Sequence, residues 1–267
     1  MEAYAGFAAV YDVFMDETPY EEWGERIRRI ITEYGVSKPG SNAKEESALQ
    51  SERDLVLELG CGTGNMTQWL ASRGYDMIGV DASAEMLSVA MEKKEASGLD
   101  ILYLLQDMRE LELYSTAGTV ISVCDSLNYL LEEEDLLKTF KLVNNYLFPE
   151  GLFIFDFNTV YKYAEVIGNR TIAEDREDCS FIWDNYYDPK EEINEYDLTL
   201  FVENGEGLYR KLTETHFQRG YTLSVMQELV KKAGMEWLFA MDADTGGEVT
   251  DVTERVLAVA REKGKSV

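Results

Sequence analysis

The stretch "LVLELGCGTGNMTQWLASRGYDMIGVDAS", residues 55–83, places three closely spaced glycines between a short apolar run and an amphipathic segment. The apolar run predicts a buried strand, and the segment after Gly64 predicts a helix. Glycines at such a junction let the backbone turn sharply and approach a ligand where a Cβ atom would clash. A second apolar run ends at Asp81, whose carboxylate can accept hydrogen bonds from both hydroxyls of a ribose. The stretch therefore predicts a nucleoside site.

The residues around the loop bear on which nucleoside is bound. A dinucleotide-binding loop has a third glycine three positions after the second, and Asn65 occupies that position here. Glu58 lies just before the loop, where its charge would repel a pyrophosphate but would suit the ammonium group of a methionine-like moiety. These features favour S-adenosylmethionine over NAD. A tight strand-to-helix turn without a ligand is the alternative interpretation.

The rest of the chain alternates strands with helices, which predicts an α/β fold with a doubly wound parallel sheet. We expect the core at residues 54–169 and 222–267, closed by two antiparallel strands at the carboxyl end. Residues 170–221 show aromatics and threonines at a period of two, which predicts an antiparallel β insertion of about three strands over the acceptor site. Residues 1–35 predict two helices, and the polar segment 36–52 predicts a linker.

Composition restricts the class of partner. The chain carries 51 acidic against 25 basic residues, a net charge of −26, so we expect nucleic acid to be disfavoured as a substrate. No apolar run approaches the length of a membrane span, and the first residues do not resemble a signal peptide. The three cysteines are isolated from one another, which predicts neither a disulfide framework nor a metal site. We therefore expect a cytoplasmic protein, and the sequence leaves its oligomeric state open.

Four motifs resemble those of the class I S-adenosylmethionine-dependent methyltransferases. They are "LELGCGTGNMT", "GVDASAEML", "LQDMREL" and "CDSLNYLL". A "YxxFAxxYD" start, a "YxxW" helix and a late "LTLFVENGEGLYRKLTETHFQRGY" segment are similar to a branch of small bacterial methyltransferases, largely of unassigned substrate. The resemblance extends over nearly the whole chain outside the linker. It implies a Rossmann-like seven-stranded sheet, S-adenosylmethionine as cofactor and methyl transfer as activity, but it says almost nothing about the acceptor.

The resemblance also implies which residues bind the cofactor. The expected set is Tyr4, Tyr11, Trp23, Glu58, Gly60, Cys61, Gly62, Asp81, Ala82, Met86, Asp107, Met108 and Cys124. The glycine loop would lie under the methionine moiety, and Asp81 would hold the ribose. Ala82 and Met86 would pack on the adenine, whose edge Asp107 and Met108 would contact. The three aromatic residues of the N-terminal helices would form a lid with donors directed towards the cofactor's carboxylate.

Methyl transfer from a sulfonium is an in-line displacement, so a general base is needed only if the acceptor is protonated. The candidates are His216, the single histidine, and Asp125, which follows the fourth strand. For each, a structural role is the alternative interpretation. We expect transfer to a nitrogen or oxygen atom of a small-molecule acceptor. A non-catalytic cofactor-binding protein that acts through partners, and an NAD-dependent oxidoreductase, remain as other hypotheses.

Overall fold

Two β-sheets account for the strands of the computed structural model, which describes residues 7–40, 47–205 and 207–266. The strands are β1 (Leu55–Leu59), β2 (Asp76–Asp81), β3 (Ile101–Leu105), β4 (Ala117–Ser122), β5 (Leu147–Asn158), β6 (Thr171–Asp175), β7 (Cys179–Asp188), β8 (Ile193–Glu203), β9 (Tyr209–Arg219), β10 (Glu236–Asp242) and β11 (Arg255–Arg261). The α-helices are α1 (Ala8–Phe14), α2 (Tyr20–Tyr34), α3 (Ala48–Asp54), α4 (Asn65–Ser72), α5 (Ala84–Ser97), α6 (Glu133–Tyr146) and α7 (Leu223–Lys232). Shorter helical turns span Met108–Glu110, Ser126–Tyr129 and Lys162–Ile167.

The main sheet has, among the described residues, seven strands in the order β10-β11-β5-β4-β1-β2-β3. Strands β1 to β5 pair in parallel, whereas β11 runs antiparallel to both β5 and β10. Helices α6 and α7 pack on one face and α2 and α4 on the other. The predicted doubly wound seven-stranded sheet is confirmed. Of the two closing strands, only β11 runs against the others, since β10 returns to the parallel direction.

Strand β1 is buried on both faces, as a central parallel strand must be. Leu55, Leu57 and Leu59 belong to the core under α6 and α7, and Val56 belongs to the core under α2 and α4. Glu58 is the one polar residue of the strand, and it is 2% exposed. A carboxyl group in such a position is costly unless it has a partner, so the strand itself points to a functional residue.

The insertion sheet, formed by β6, β7, β8 and β9, is separate from the main sheet and wholly antiparallel. The sequence predicted about three strands here. It missed Thr171–Asp175, which is largely exposed and lacks apolar alternation. The inner face of this sheet packs on α1, where the ring of Phe14 lies 4.8 Å from that of Phe181. The insertion and the N-terminal helix therefore share one small core.

The segment predicted as a linker, residues 36–52, is partly built into the fold. Ser37 is buried, and its hydroxyl lies 2.8 Å from that of Thr119 on β4. Helix α3 begins with a capping box, in which Ser47 and Gln50 satisfy each other's backbone amides. The linker prediction is wrong at these residues because polar composition concealed a helix start. Residues 41–46 lie outside the described part of the chain.

Within the described part of the chain, every helix is too short or too polar to span a lipid bilayer. The longest described helices, α2, α5 and α6, place apolar residues on the main sheet or in its adjoining cores. Their lengths are ordinary for a globular α/β protein.

The close approach of α3 to β4 gives a test of the fold. A Cβ atom on Gly118 would overlap the backbone carbonyl oxygen of Arg53 and lie 2.5 Å from Ser37 Oγ. We expect Gly118→Ala to lower the free energy of unfolding by about 2 kcal/mol or more, because the backbone of α3 has to move. Gly247→Ala is the control, since there the close neighbour is the Thr245 hydroxyl. Equal urea midpoints for the two variants would contradict this packing.

Candidate active site

A cavity of about 440 Å³ opens at the carboxyl ends of strands β1 to β4. This edge is where open parallel sheets bind ligands. Most of the residues expected to bind the cofactor line it: Tyr11, Glu58, Gly60, Cys61, Gly62, Asp81, Ala82, Met86, Asp107, Met108 and Cys124. Tyr4 lies outside the described residues. The local sequence motifs therefore converge on one wall, and their individual contacts to a ligand remain predictions.

The glycine loop after β1 adopts a backbone that favours glycine. Gly60, Gly62 and Gly64 have φ values of 68°, 53° and 78°. A Cβ atom on Gly60 would lie 2.5 Å from Ser126 Oγ, so a side chain there is excluded by packing. Asp81 accepts hydrogen bonds from the amides of Gly62 and Ser83, each at 2.8 Å. The carboxylate at the end of β2 thus holds the loop in shape while it lines the cavity.

Glu58 is the least compensated carboxyl group of the wall. Burial raises its pKa to about 8, even though the hydroxyl of Thr67 donates a hydrogen bond to it. The nearby Asp81 raises the pKa further. A carboxyl group in this state is largely protonated at neutral pH and becomes charged when a cation is placed beside it. The wall is therefore suited to an ammonium group.

Asp107, at the end of β3, is held by its neighbour. Arg109 Nη2 lies 2.6 Å from Asp107 Oδ2, and the backbone amide of Arg109 donates to Oδ1 at 2.8 Å. These hydrogen bonds from Arg109 lower the pKa of Asp107. The carboxylate remains in the cavity wall, so an adenine amine would share it with a guanidinium. That sharing was not predicted, because Arg109 was not considered at the sequence level.

The turn after β4 is built by a buried carboxylate from the next strand. Cys124 and Asp125 both have positive φ values, 58° and 54°, which is rare for residues other than glycine. Their amides donate to Asp156 at 3.0 and 2.8 Å. Arg255 faces the same carboxylate, with its Nη1 atom 3.6 Å from Asp156 Oδ2. The strained turn beside the cavity thus depends on one aspartate and its arginine.

Trp23 was predicted as a lid residue, and the structure places it elsewhere. Its ring lies 3.8 Å from the guanidinium carbon of Arg255, in a cation–π contact. Together with Arg26 and Asp156 it lines a separate, small crevice below the turn after β4. Trp23 therefore does not line the cavity in this structure, and its role in a lid stays a prediction. Tyr20, three residues earlier on α2, lines the cavity instead.

Helix α1 is fastened to the glycine loop. Asp12 accepts hydrogen bonds from Thr63 Oγ1 at 2.7 Å and Asn65 Nδ2 at 2.9 Å, and Lys93 Nζ lies 2.7 Å from its other oxygen. The neighbouring residue, Tyr11, lines the cavity. The sequence analysis missed this cluster, which we name the α1 clasp. The signal was present in Asn65, whose amide occupies the place of the missing third glycine.

Neither predicted base contacts the cavity. The His216 side chain is fully buried in the insertion sheet, and Tyr129 stands between it and the cavity. Asp125 is half-buried and accepts a hydrogen bond from Gln218 at 2.6 Å. Burial raises the pKa of Asp125. Tyr129, which does line the cavity, belongs to the quoted "CDSLNYLL" motif but was not singled out from the sequence.

Comparison with known proteins identifies relatives along the full length. A family model described as a methyltransferase domain matches residues 56–151. YqeM of Bacillus subtilis (strain 168), which bears a methyltransferase name, is 36% identical over 266 residues, 99% of this chain and 98% of its own. A similarly named protein of Geobacillus sp. (strain WCH70) is 33% identical over 258 residues, 97% and 99% of the two chains. The crystal structure of an S-adenosylmethionine-dependent methyltransferase from Clostridium acetobutylicum ATCC 824 has 29% identity and a TM-score of 0.82, covering 98% of this chain and 100% of that one.

The state of Glu58 predicts how cofactor affinity depends on pH. Pairing with an ammonium group requires Glu58 to lose its proton, so its raised pKa of about 8 opposes binding at lower pH. We expect the affinity for S-adenosylmethionine to fall about tenfold between pH 7 and pH 6. Calorimetry in buffers of different ionisation enthalpy should show about one proton released per cofactor bound in this range. Glu58→Gln should abolish that release, and pH-independent binding of the wild type would refute the assignment.

The α1 clasp predicts how long the cofactor stays bound. Asp12→Ala removes the hydrogen bonds from Thr63 and Asn65 and the ion pair with Lys93. We expect it to raise the dissociation rate of S-adenosylmethionine about tenfold, measured by stopped-flow fluorescence. Asp16→Ala is the matched control, because Asp16 forms an exposed ion pair with Arg176. A dissociation rate unchanged in Asp12→Ala would show that α1 does not retain the cofactor.

Proposed function

This chain belongs to the class I S-adenosylmethionine-dependent methyltransferases, and we propose that it methylates a nitrogen or oxygen atom of a small acceptor, preferably an amine. S-adenosylmethionine supplies a methyl group already activated by its sulfonium. The protein mainly has to align the acceptor in line with that group and exclude water, and alignment is worth about 7–11 kcal/mol of barrier. Neither a purely cofactor-binding role nor NAD-dependent hydride transfer is favoured, because the relatives bear methyltransferase names.

The volume and the lining residues of the cavity are suited to S-adenosylmethionine. Its volume, about 440 Å³, lies within the usual range for pockets that enclose a ligand of this size. The buried carboxyl of Glu58 is suited to the ammonium group, and Asp81 is suited to the ribose hydroxyls. Met86 and Met108 supply apolar, adaptable surface for a purine. In this proposal the glycine loop carries the methionine moiety.

The roof of the cavity is the observation that carries the proposal of a small acceptor. Helix α1 is fastened below by the α1 clasp and above by the insertion sheet, where Phe14 packs on Phe181. At its start, the amide of Phe7 donates to Glu214 at 3.1 Å. A macromolecular acceptor would have to displace this helix from both sides. A small molecule can be enclosed beneath it, which also excludes water from the reaction.

Charge supports an amine over an anionic acceptor. Burial raises the pKa of Asp125 and of Asp156, the two acids beside the turn after β4. Raised values mean that added negative charge is disfavoured there, whereas a basic acceptor would be stabilised. The net charge of −26 favours the approach of cations in the same way. We therefore favour an amine as the acceptor over a phosphate or a carboxylate.

The proposed location is a reducing cytoplasm. The three cysteines, which all lie among the described residues, are free thiols, as is usual in that compartment.

The proposal can be tested without knowing the acceptor. Methyl-labelled S-adenosylmethionine is incubated with the protein and either the low-molecular-mass filtrate of a bacterial extract or the retained macromolecules. We expect label to enter the filtrate and not the retained fraction, and prior N-acetylation of the filtrate to abolish transfer. Asp81→Ala removes the carboxylate proposed to bind the ribose hydroxyls, so this variant should transfer no label to either fraction.

Two results would contradict the proposal in different ways. Label confined to the retained macromolecules would refute a small acceptor. Transfer to the filtrate that survives acetylation would refute the preference for an amine and leave a hydroxyl or another non-amine acceptor.

A further inference from the structure

Tyr129 links the cavity to the insertion sheet. It is the last residue of the helical turn that follows Asp125, and its ring lines the cavity. Its hydroxyl lies 2.7 Å from the Tyr196 hydroxyl and 3.4 Å from Nδ1 of His216. A phenol in the cavity wall is thus in hydrogen-bonding range of the single imidazole of the chain.

The imidazole of His216 is held in one orientation. Its ring stacks on that of Tyr196 with centroids 4.9 Å apart and an interplanar angle of 10°. Nε2 lies 3.2 Å from Glu214 Oε2, and the other carboxylate oxygen accepts the amide of Phe7. A carboxylate at Nε2 favours the tautomer in which Nε2 carries the hydrogen. Nδ1 is then left as an acceptor facing Tyr129.

We propose that Tyr129 is a catalytic residue that takes the proton released by the acceptor, with His216 and Glu214 acting through it as positioning residues. The proposal rests on the proposed methyl transfer to an amine that carries an N–H hydrogen. The lone pair of the neutral acceptor nitrogen would form the bond to the methyl carbon as the carbon–sulfur bond of S-adenosylmethionine breaks and leaves its electron pair on sulfur. The N–H proton of the methylated ammonium would then pass to Tyr129 Oη. The proton of Tyr129 moves at the same time to His216 Nδ1. The resulting imidazolium is paired with Glu214, and no net charge is left on the phenol.

Two other polar groups in or beside the cavity wall are less suited to this role. Burial raises the pKa of Tyr20, a phenol that the first turn of α2 contributes to the wall, and its polar neighbours are Cys124, Asn65 and Tyr11. The carboxylate of Asp125 is directed to the amide of Gln218. Tyr129 combines a place in the wall with a base and an orienting carboxylate behind it, the arrangement that activates groups in many transferases.

The single histidine gives a readout that does not require turnover. Protein labelled with ¹⁵N in the imidazole yields signals from His216 alone. For the neutral imidazole we expect the Nε2–H tautomer, which Glu214 at Nε2 favours. Tyr129→Phe should keep this tautomer but shift the Nδ1 resonance towards that of a free acceptor. Tyr209 is an exposed residue on β9, the strand that carries His216, and Tyr209→Phe should leave the signals unchanged. An Nδ1–H tautomer in the wild type would overturn the proposal.

Activity provides the second arm, with the filtrate of small metabolites as the acceptor probe. We expect Tyr129→Phe and His216→Gln to lower kcat by about 10²-fold or more. In both variants the apparent KM for the filtrate and the Kd for S-adenosylmethionine should stay unchanged. The control, Tyr209→Phe, should keep the wild-type kcat, KM and Kd. A Tyr129→Phe variant with full kcat would overturn the proton transfer alone. A wild-type protein that transfers no label would instead overturn the proposed function, while the imidazole signals would still decide the arrangement around His216.

Discussion

The site depends on three carboxyl groups near the carboxyl ends of strands β1, β2 and β5, each stabilised by different partners. Asp81 accepts two backbone amides, and Asp156 accepts two more and faces Arg255. Glu58 has a hydroxyl donor from Thr67 and a raised pKa. A buried charge is tolerated when it is hydrogen-bonded and paired, and costly otherwise. Asp81 and Asp156 are therefore the carboxyl groups that organise the backbone. Glu58 has weaker stabilisation and is the one available to a ligand.

The turn after β4 shows how far this constraint reaches. Two consecutive residues other than glycine, Cys124 and Asp125, hold positive φ values, each costing on the order of 1 kcal/mol. The hydrogen bonds that the amides of these two residues donate to Asp156 offset that cost, and Asp156 in turn is stabilised by Arg255. Arg255 is covered by the indole of Trp23 on α2. Packing of an N-terminal helix is thereby connected to the backbone beside the cavity through a cation–π contact and an ion pair.

Sequence patterns predicted the parts of the molecule whose contacts are local. The glycine loop, Glu58 and Asp81 lie within one strand–loop–helix–strand unit, so their spacing alone brings them together. The contact of Trp23 with Arg255 was not predicted because Arg255 is distant in sequence and carries no motif. Strand β6 was missed because an exposed edge strand needs no apolar alternation. Asp12 was missed for the same reason as Trp23, since its partners belong to the glycine loop and to α5.

The insertion sheet contributes a carboxylate, Glu214, that contacts two different elements. Glu214 accepts the amide of Phe7 with one oxygen and faces Nε2 of His216 with the other. The first contact fixes the start of α1, and the second fixes the imidazole that faces Tyr129. Displacement of α1 would remove the amide of Phe7 from a buried carboxylate and so change the field at the imidazole. The geometry thus ties the orientation of the imidazole that faces Tyr129 to the position of α1.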